Sequence, residues 1–235
     1  MLKKMVKWIP DSVMLRYENF LLANFARTKK FLTKVDPELL EEISKVKVLR
    51  AFLHASKTTP AYKVFLKKHK VKEVKTFEDF LDKVPITDKK NYIKKYGYEQ
   101  RCVNGEFPMK GNIDESSGSS GVPTDWIRSV DEESALFKGA KFEYDYTFNH
   151  DSKHHIILSA WSSGPWATGI KFCELTEHLA LVKNTDTDVK NILRTLNTFG
   201  KKYRYLIGGY PPFIKKFVDE AGKKIRLKDY SIDVL

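Results

Sequence analysis

Cysteine is scarce in this chain: among 235 residues only Cys102 and Cys173 occur. Two thiols make no disulfide framework, and no C-x-x-C pair exists for zinc or redox work, so a reducing cytoplasm is the expected compartment. Long apolar runs are missing too. The stretch Met1 to Trp8 is basic and mildly apolar, but Pro10 and Asp11 interrupt it before a secretory core could form. No later run has the length of a membrane span. Several signatures of chemistry are likewise absent. The sequence holds no G-x-x-x-x-G-K-[ST] phosphate loop, no G-x-G-x-x-G dinucleotide turn, no H-E-x-x-H zinc helix and no G-x-S-x-G nucleophile elbow.

What is present begins with enough apolar material, 42% of residues, for one large domain or two small ones, which excludes a disordered chain. Charge is uneven. Residues 1–100 carry 23 Lys+Arg against 12 Asp+Glu, whereas residues 101–235 carry 19 against 18. A basic front suggests an anionic partner. The cations are mostly scattered lysine pairs, such as Lys29-Lys30 and Lys89-Lys90, which read more simply as a solvated face. A nonenzymatic anion- or nucleic-acid-binding module is the alternative this front supports, and residues 1–34 also read as a basic amphipathic segment suited to an anionic membrane surface.

Two regions are expected: a helical N-terminal region over 1–100 and an α/β nucleotide-binding subdomain over 101–235. Met14, Tyr17, Leu21 and Phe25 recur at helical spacing, as do Leu39, Ile43, Val46 and Leu53. Asp36 with Pro37 reads as a helix start, and Thr76 with Asp79 as a capping box. Beyond residue 102 short strands and turns are expected, then a helix from Asp131 to about Tyr146 and a strand from His155 to Ala160. Helices over Thr168–Val182 and Asp188–Phe199 follow. A strand at Tyr205–Ile207, a tight turn at Gly208-Gly209, a helix over Pro212–Ala221 and a strand from Ser231 complete the pattern. Such alternation argues for a mostly parallel, Rossmann-like sheet with flanking helices, incomplete at its C-terminal side.

The most informative segment is Glu115-Ser-Ser-Gly-Ser-Ser-Gly-Val-Pro-Thr124. Ser116, Ser117, Ser119 and Ser120 offer hydroxyls, while Gly118 and Gly121 let the backbone turn and bring successive N–H groups to an anion. A flexible linker has a similar composition. Here, however, the segment lies inside a chain that reads as globular on both sides, and Pro123 closes it before an extended run, Trp126 to Arg128. Thr124, Trp126 and Arg128 share one strand face, which makes Arg128 a candidate extra phosphate contact. Trp161 and Trp166, separated by small residues, suit the wall of an apolar pocket or packing against the sheet. His154 and His155 point to opposite faces of a strand. Glu174, Glu177 and His178 lie within about one helical turn, but a third anchored metal ligand is not evident, so a polar helix face is the preferred reading.

Ser116-Ser-Gly-Ser-Ser-Gly-Val-Pro-Thr124 resembles the phosphate-binding motif of adenylate-forming enzymes, and its Pro-Thr ending resembles the phenylacetate-CoA ligase branch. Val48-Leu-Arg-Ala-Phe-Leu-His-Ala-Ser-Lys-Thr-Thr-Pro-Ala-Tyr62 is similar to that branch's entry helix and Pro-x-Tyr turn. Phe77 to Thr87 is similar to its acidic segment ending in Pro-x-Thr, and Gly208-Gly-Tyr-Pro-Pro-Phe213 to a strand-turn-helix. The likeness spans about residues 45–225. It implies an N-terminal portion of an enzyme that activates an aryl or acyl carboxylate with ATP and Mg²⁺ and passes the acyl group to a thiol, usually coenzyme A. Ser116, Ser117, Gly118, Ser119, Ser120, Gly121, Pro123 and Thr124 would then hold the β- and γ-phosphates. Trp161, Gly164, Trp166 and Gly169 fall where that family builds its acyl pocket. The family's Thr-Thr pair is Ser119-Ser120 here. Its adenine-binding Thr-Glu motif, ribose-binding Asp and catalytic Lys have no counterpart in these residues, so no catalytic residue is assigned. A missing C-terminal portion or a second copy is the expected partner, with no stable nucleic-acid partner and no resident metal.

Overall fold

The computed structural model describes residues 8–116, 123–148, 154–166 and 168–235, in two compact units, Met1–Met109 and Lys110–Leu235. The first unit is helical: α1 (Asp11–Leu22), α2 (Phe25–Lys34), α3 (Pro37–Thr58), α4 (Pro60–Lys68) and α5 (Phe77–Lys83). Local chemistry sets these boundaries. The Asn24 side chain accepts the Arg27 amide, and Asp36 accepts from Glu38 with Pro37 in the first turn. Thr76 and Asp79 form the anticipated reciprocal box ahead of α5. The Lys83 ammonium and the amides of Lys75 and Thr76 hold the Asp79 carboxyl at about 2. Aromatics make the core of this unit. Phe52 meets Phe80 edge-on at 5.4 Å, Phe65 meets Tyr92 at 5.5 Å, and Leu66 and Val74 fill the space between the helices.

The second unit begins with an antiparallel hairpin, β1 (Gly111–Glu115) and β2 (Asp125–Ser129). Next come α6 (Val130–Thr147), β3 (His155–Ala160), α7 (Gly169–Thr176), β4 (Leu181–Asn184), α8 (Val189–Phe199), β5 (Arg204–Gly209), α9 (Pro211–Ala221) and β6 (Ser231–Val234). The last four strands form one sheet in the order β4-β3-β5-β6, parallel throughout. This is the α/β architecture read from the alternating pattern, with flanking helices and a helical front.

Both central strands are buried on every residue, as expected when helices cover both faces of a sheet. Ile156, Leu158, Ala160, Tyr205 and Ile207 pack with α8 and α9 through Ile192, Leu196, Phe213 and Phe217. On the opposite face Ile157 and Leu206 meet Tyr144 of α6 and Phe172 of α7. His155 is buried against Tyr144, whose hydroxyl bonds its Nδ1, while His154 is exposed.

Two expectations are corrected. The helix expected over Thr168–Val182 stops at Thr176, and Leu181–Asn184 instead pairs with Ile156–Ser159. An available parallel edge on β3 outweighs the helical spacing of that apolar run, helped by β-branched Val182. Gly208 and Gly209 are not a tight turn but the last two residues of β5. Their lack of a side chain serves close approach. A Cβ on Gly208 would lie 2.5 Å from Cζ of Phe172, and one on Gly209 would lie 3.0 Å from the Ile214 side chain and 3.1 Å from Ala160.

Candidate functional site

Strand order marks a candidate site. After β3 the chain adds β4 on one side and then β5 on the other. The intervening helices lie on opposite faces, α7 on one and α8 on the other. A reversal of this kind opens a crevice outside the carboxyl ends of the two central strands, where open α/β sheets hold ligands. Here those ends are Ser159-Ala160 and Gly208-Gly209, directly paired and all small. The Ser159 hydroxyl is buried and has no hydrogen-bond partner among the described residues. Its carbonyl accepts from the amide and the hydroxyl of Thr185, both at 2.9 Å, which fixes the segment after β4 at the same end.

The Ser/Gly segment is the loop of the β1–β2 hairpin. Gly111 pairs with Ser129 and Glu115 with Asp125, and the next pair in that register closes the loop's neck. The Ser116 amide donates to the Thr124 carbonyl at 2.9 Å, and the Thr124 amide donates to Ser116 Oγ at 3.0 Å. Thr124 is buried. Ser117, Gly118, Ser119, Ser120 and Gly121 lie outside the described residues; Ser116, Pro123 and Thr124 mark where they leave and return.

The base of this loop is tied to the crevice. Trp161 to Trp166 leaves the carboxyl end of β3, and Glu115 donates its amide to the Pro165 carbonyl at 2.9 Å, with an isolated parallel bridge between Glu115 and Trp166. Within the segment the Trp166 ring covers Gly164, where a Cβ would come within 2.2 Å of it. Ser163 accepts from the Asn184 side chain at 2.7 Å. Trp161 is half-buried and Trp166 a little more than one-third exposed. Gly169, at the start of α7, is buried and lies under the Ser162 backbone, which a Cβ would approach to 2.2 Å. Because that neighbour is main chain, Gly169→Ala is expected to cost about 1–3 kcal/mol through overpacking. Urea denaturation would read it, and an unchanged midpoint would show that the segment yields without strain.

Behind the hairpin lies an ion-pair network that sequence reasoning missed. The Arg128 guanidinium is held between Asp114, one strand across, and Glu133 of α6, whose Oε1 lies 2.8 Å from its Nε. Glu133 Oε2 reaches Lys171 Nζ at 2.8 Å, and Lys171 also meets Glu174 at 2.8 Å. Glu174 in turn accepts from Asn112 of β1. Lys171 is buried, with 6% of its surface exposed. Burial pushes the Glu133 carboxyl up, but the hydrogen bonds from Lys171 and Arg128 outweigh it and leave the group below the ordinary glutamate range. These contacts join residues up to 62 positions apart, and only Lys171–Glu174 lies at helical spacing. Glu177 and His178 fall in the turn after α7. Among the described residues no group of three His, Cys, Asp or Glu side chains is placed to hold a metal ion.

No protein-family profile and no curated protein matches the sequence. Among solved structures, an open conformation of 2-hydroxyisobutyryl-CoA ligase in complex with 2-HIB-AMP and CoA matches with a TM-score of 0.60 at 15% identity. The fold is one that an acyl-CoA ligase uses. The match covers 82% of this chain and 46% of the ligase, so the chain spans less than half of that protein's length. Among the described residues no helix is long and apolar enough to cross a membrane.

Proposed function

We propose that this chain is the N-terminal, phosphate-binding portion of an ATP-dependent acyl-adenylate-forming enzyme of the carboxylate–CoA ligase type, in the phenylacetate-CoA ligase-like branch. The observation that carries the reading is the neck at Ser116 and Thr124. It presents a hydroxyl- and glycine-rich loop from a hairpin whose base is bonded to the segment leaving the carboxyl end of β3. In the reaction a carboxylate oxygen bonds the α-phosphorus of ATP and pyrophosphate leaves. A thiol, with coenzyme A the favoured acceptor, then bonds the acyl carbon and AMP leaves. The composition of the segment suits a polyphosphate, because hydroxyls and glycine main-chain amides are small, uncharged donors; in the described neck the amides of Ser116 and Thr124 are already bonded across it. Mg²⁺ arriving with the nucleotide would offset the charge of the departing pyrophosphate.

The chain's own residues have three tasks in this reading. Ser116, Ser117, Ser119, Ser120 and Thr124 donate to the β- and γ-phosphates, while Gly118 and Gly121 keep the backbone close and Pro123 fixes the return. Trp161, Gly164, Trp166 and Gly169 shape the acyl pocket beside the crevice. A direct contact from Arg128 to phosphate requires its guanidinium to release Asp114 or Glu133. The action belongs in the cytoplasm, with the remaining ligase parts supplied by a C-terminal portion or a second copy. Titration of the chain with Mg·ATP, followed by carboxylate-dependent pyrophosphate exchange over a panel of aryl and acyl acids, tests it. Nucleotide binding that competes with pyrophosphate is expected, and a chain indifferent to both would end the reading.

A further inference from the structure

The first two helices take almost no part in the core of their own unit. In α1 no residue is buried, and in α2 only Thr28 is. The buried cluster of this unit draws on residues from Leu49 onward. Val13, Tyr17 and Phe20 lie on one side of α1 and are 50–55% exposed, and Trp8 just ahead of it is 78% exposed. Side chains of this size normally end up inside, and a contiguous exposed group marks an interaction surface. Met14 and Leu21 of α1, Phe31 of α2 and Leu39, Leu40 and Ile43 of α3 line a groove of about 430 Å³ whose walls are almost wholly apolar.

Charge around the groove selects its occupant. In α1 and α2, residues 8–34 contain five cations, Arg16, Arg27, Lys29, Lys30 and Lys34, against two carboxylates, Asp11 and Glu18, while the α3 wall adds Glu38, Glu41 and Glu42, the last two paired with Lys45. Both α1 carboxylates are held by cations of α3: Asp11 by Arg50 at 2.6 Å and Glu18 by Lys47 at 2.8 Å. The Arg27 guanidinium sits 3.6 Å above the Phe20 ring, placing a cation next to an exposed aromatic. A second copy of this surface would bring like charges together. A nucleic-acid backbone would satisfy the cations and leave the aliphatic groove empty. An anionic bilayer matches both parts, phosphate and serine headgroups for the cations and acyl chains for the groove and the exposed rings.

We propose that α1 and α2 form a docking surface for an anionic lipid membrane, with Trp8, Val13 and Phe20 entering the headgroup boundary and the α2 lysines lying over it. This surface is independent of the phosphate-loop reading and stands or falls without it. The test is co-sedimentation of the full chain with vesicles of phosphatidylcholine alone or with about one-third phosphatidylserine. Anionic vesicles are expected to retain the chain at least about tenfold better than neutral ones, and rising salt should release it. Lys29→Ala with Lys30→Ala should weaken binding about 25-fold, from about fivefold for each cation removed. Phe20→Glu, on a helix with no buried residue, should weaken it more than about tenfold while leaving the helical circular dichroism unchanged. Equal retention on both vesicles, or none on the anionic ones, overturns the proposal. So does retention that Phe20→Glu leaves intact, self-association through this face without vesicle binding, or DNA binding that vesicles do not compete.

Discussion

Lys171→Met is expected to lower the stability of the α/β unit by about 3–5 kcal/mol, the range for removing one partner from a buried ion pair. Lys171 is the member of the network with the least exposure, and it stands between Glu133 and Glu174. Without it, Glu133 keeps only Arg128, which is shared with Asp114, and the α6–α7 contact gains excess negative charge. Pairing the change with Glu133→Gln should recover part of the loss, because the two residues act as one unit and their effects cannot add. Urea denaturation of the single and double variants measures both quantities. A loss below about 1 kcal/mol for Lys171→Met would place the network in the class of solvent-screened surface pairs. Acid should act on the same contacts. The Glu133 carboxyl is lower in the folded chain than in a free one, so its contribution is present above the ordinary glutamate range and disappears as the pH falls through and below it. Glu133→Gln should therefore flatten the acid limb of the stability curve while lowering stability at neutral pH.

The second large effect is expected at the loop. If its hydroxyls hold the phosphates, replacing Ser119 and Ser120 together with alanine should weaken Mg·ATP binding about 100-fold or more, since each hydrogen bond to a charged group contributes about 1.5–3 kcal/mol. Stability should stay unchanged if the two hydroxyls act on the nucleotide alone. Ser116→Ala should behave differently. It removes the acceptor of the Thr124 amide at the neck, so both the nucleotide affinity and the unfolding midpoint are expected to fall. Isothermal titration and thermal denaturation on the two variants separate direct contact from support. Nucleotide affinity that survives Ser119→Ala with Ser120→Ala would remove the loop from the binding site.

Features fixed by neighbouring residues were legible in the sequence. The Thr76–Asp79 box, Asp36 with Pro37 and the helix at residue 130 each depend on side chains within a turn of the backbone groups they satisfy. Ser129 with Glu132 forms a further box of the same kind, signalled by its S-x-x-E spacing. Strand-helix alternation after residue 155 gave the parallel sheet, because strands buried on both faces need apolar runs and crossover helices. Competition between two nonlocal outcomes was not legible. The run around Leu179 to Val182 suits a helix face as well as a strand, and only the free edge of β3 decides. Gly208-Gly209 reads as a turn until Phe172 and Ile214 are brought beside it. The same holds for the site. The loop stands out as a candidate by composition alone, whereas the Arg128–Glu133–Lys171 chain arises from three elements that meet only in the folded unit.

The bridge between Glu115 and Trp166 gives the crevice an optical consequence. An indole that is 38% exposed and covers a glycine emits at a wavelength set by how much water reaches it. Since its main chain is joined to the root of the Ser/Gly loop, a ligand held by that loop in the proposed way is expected to change the hydration of this ring. Trp166 is thus a natural fluorophore at the mouth of the sheet, and with the other three tryptophans replaced by phenylalanine its emission would follow occupancy there without an added label.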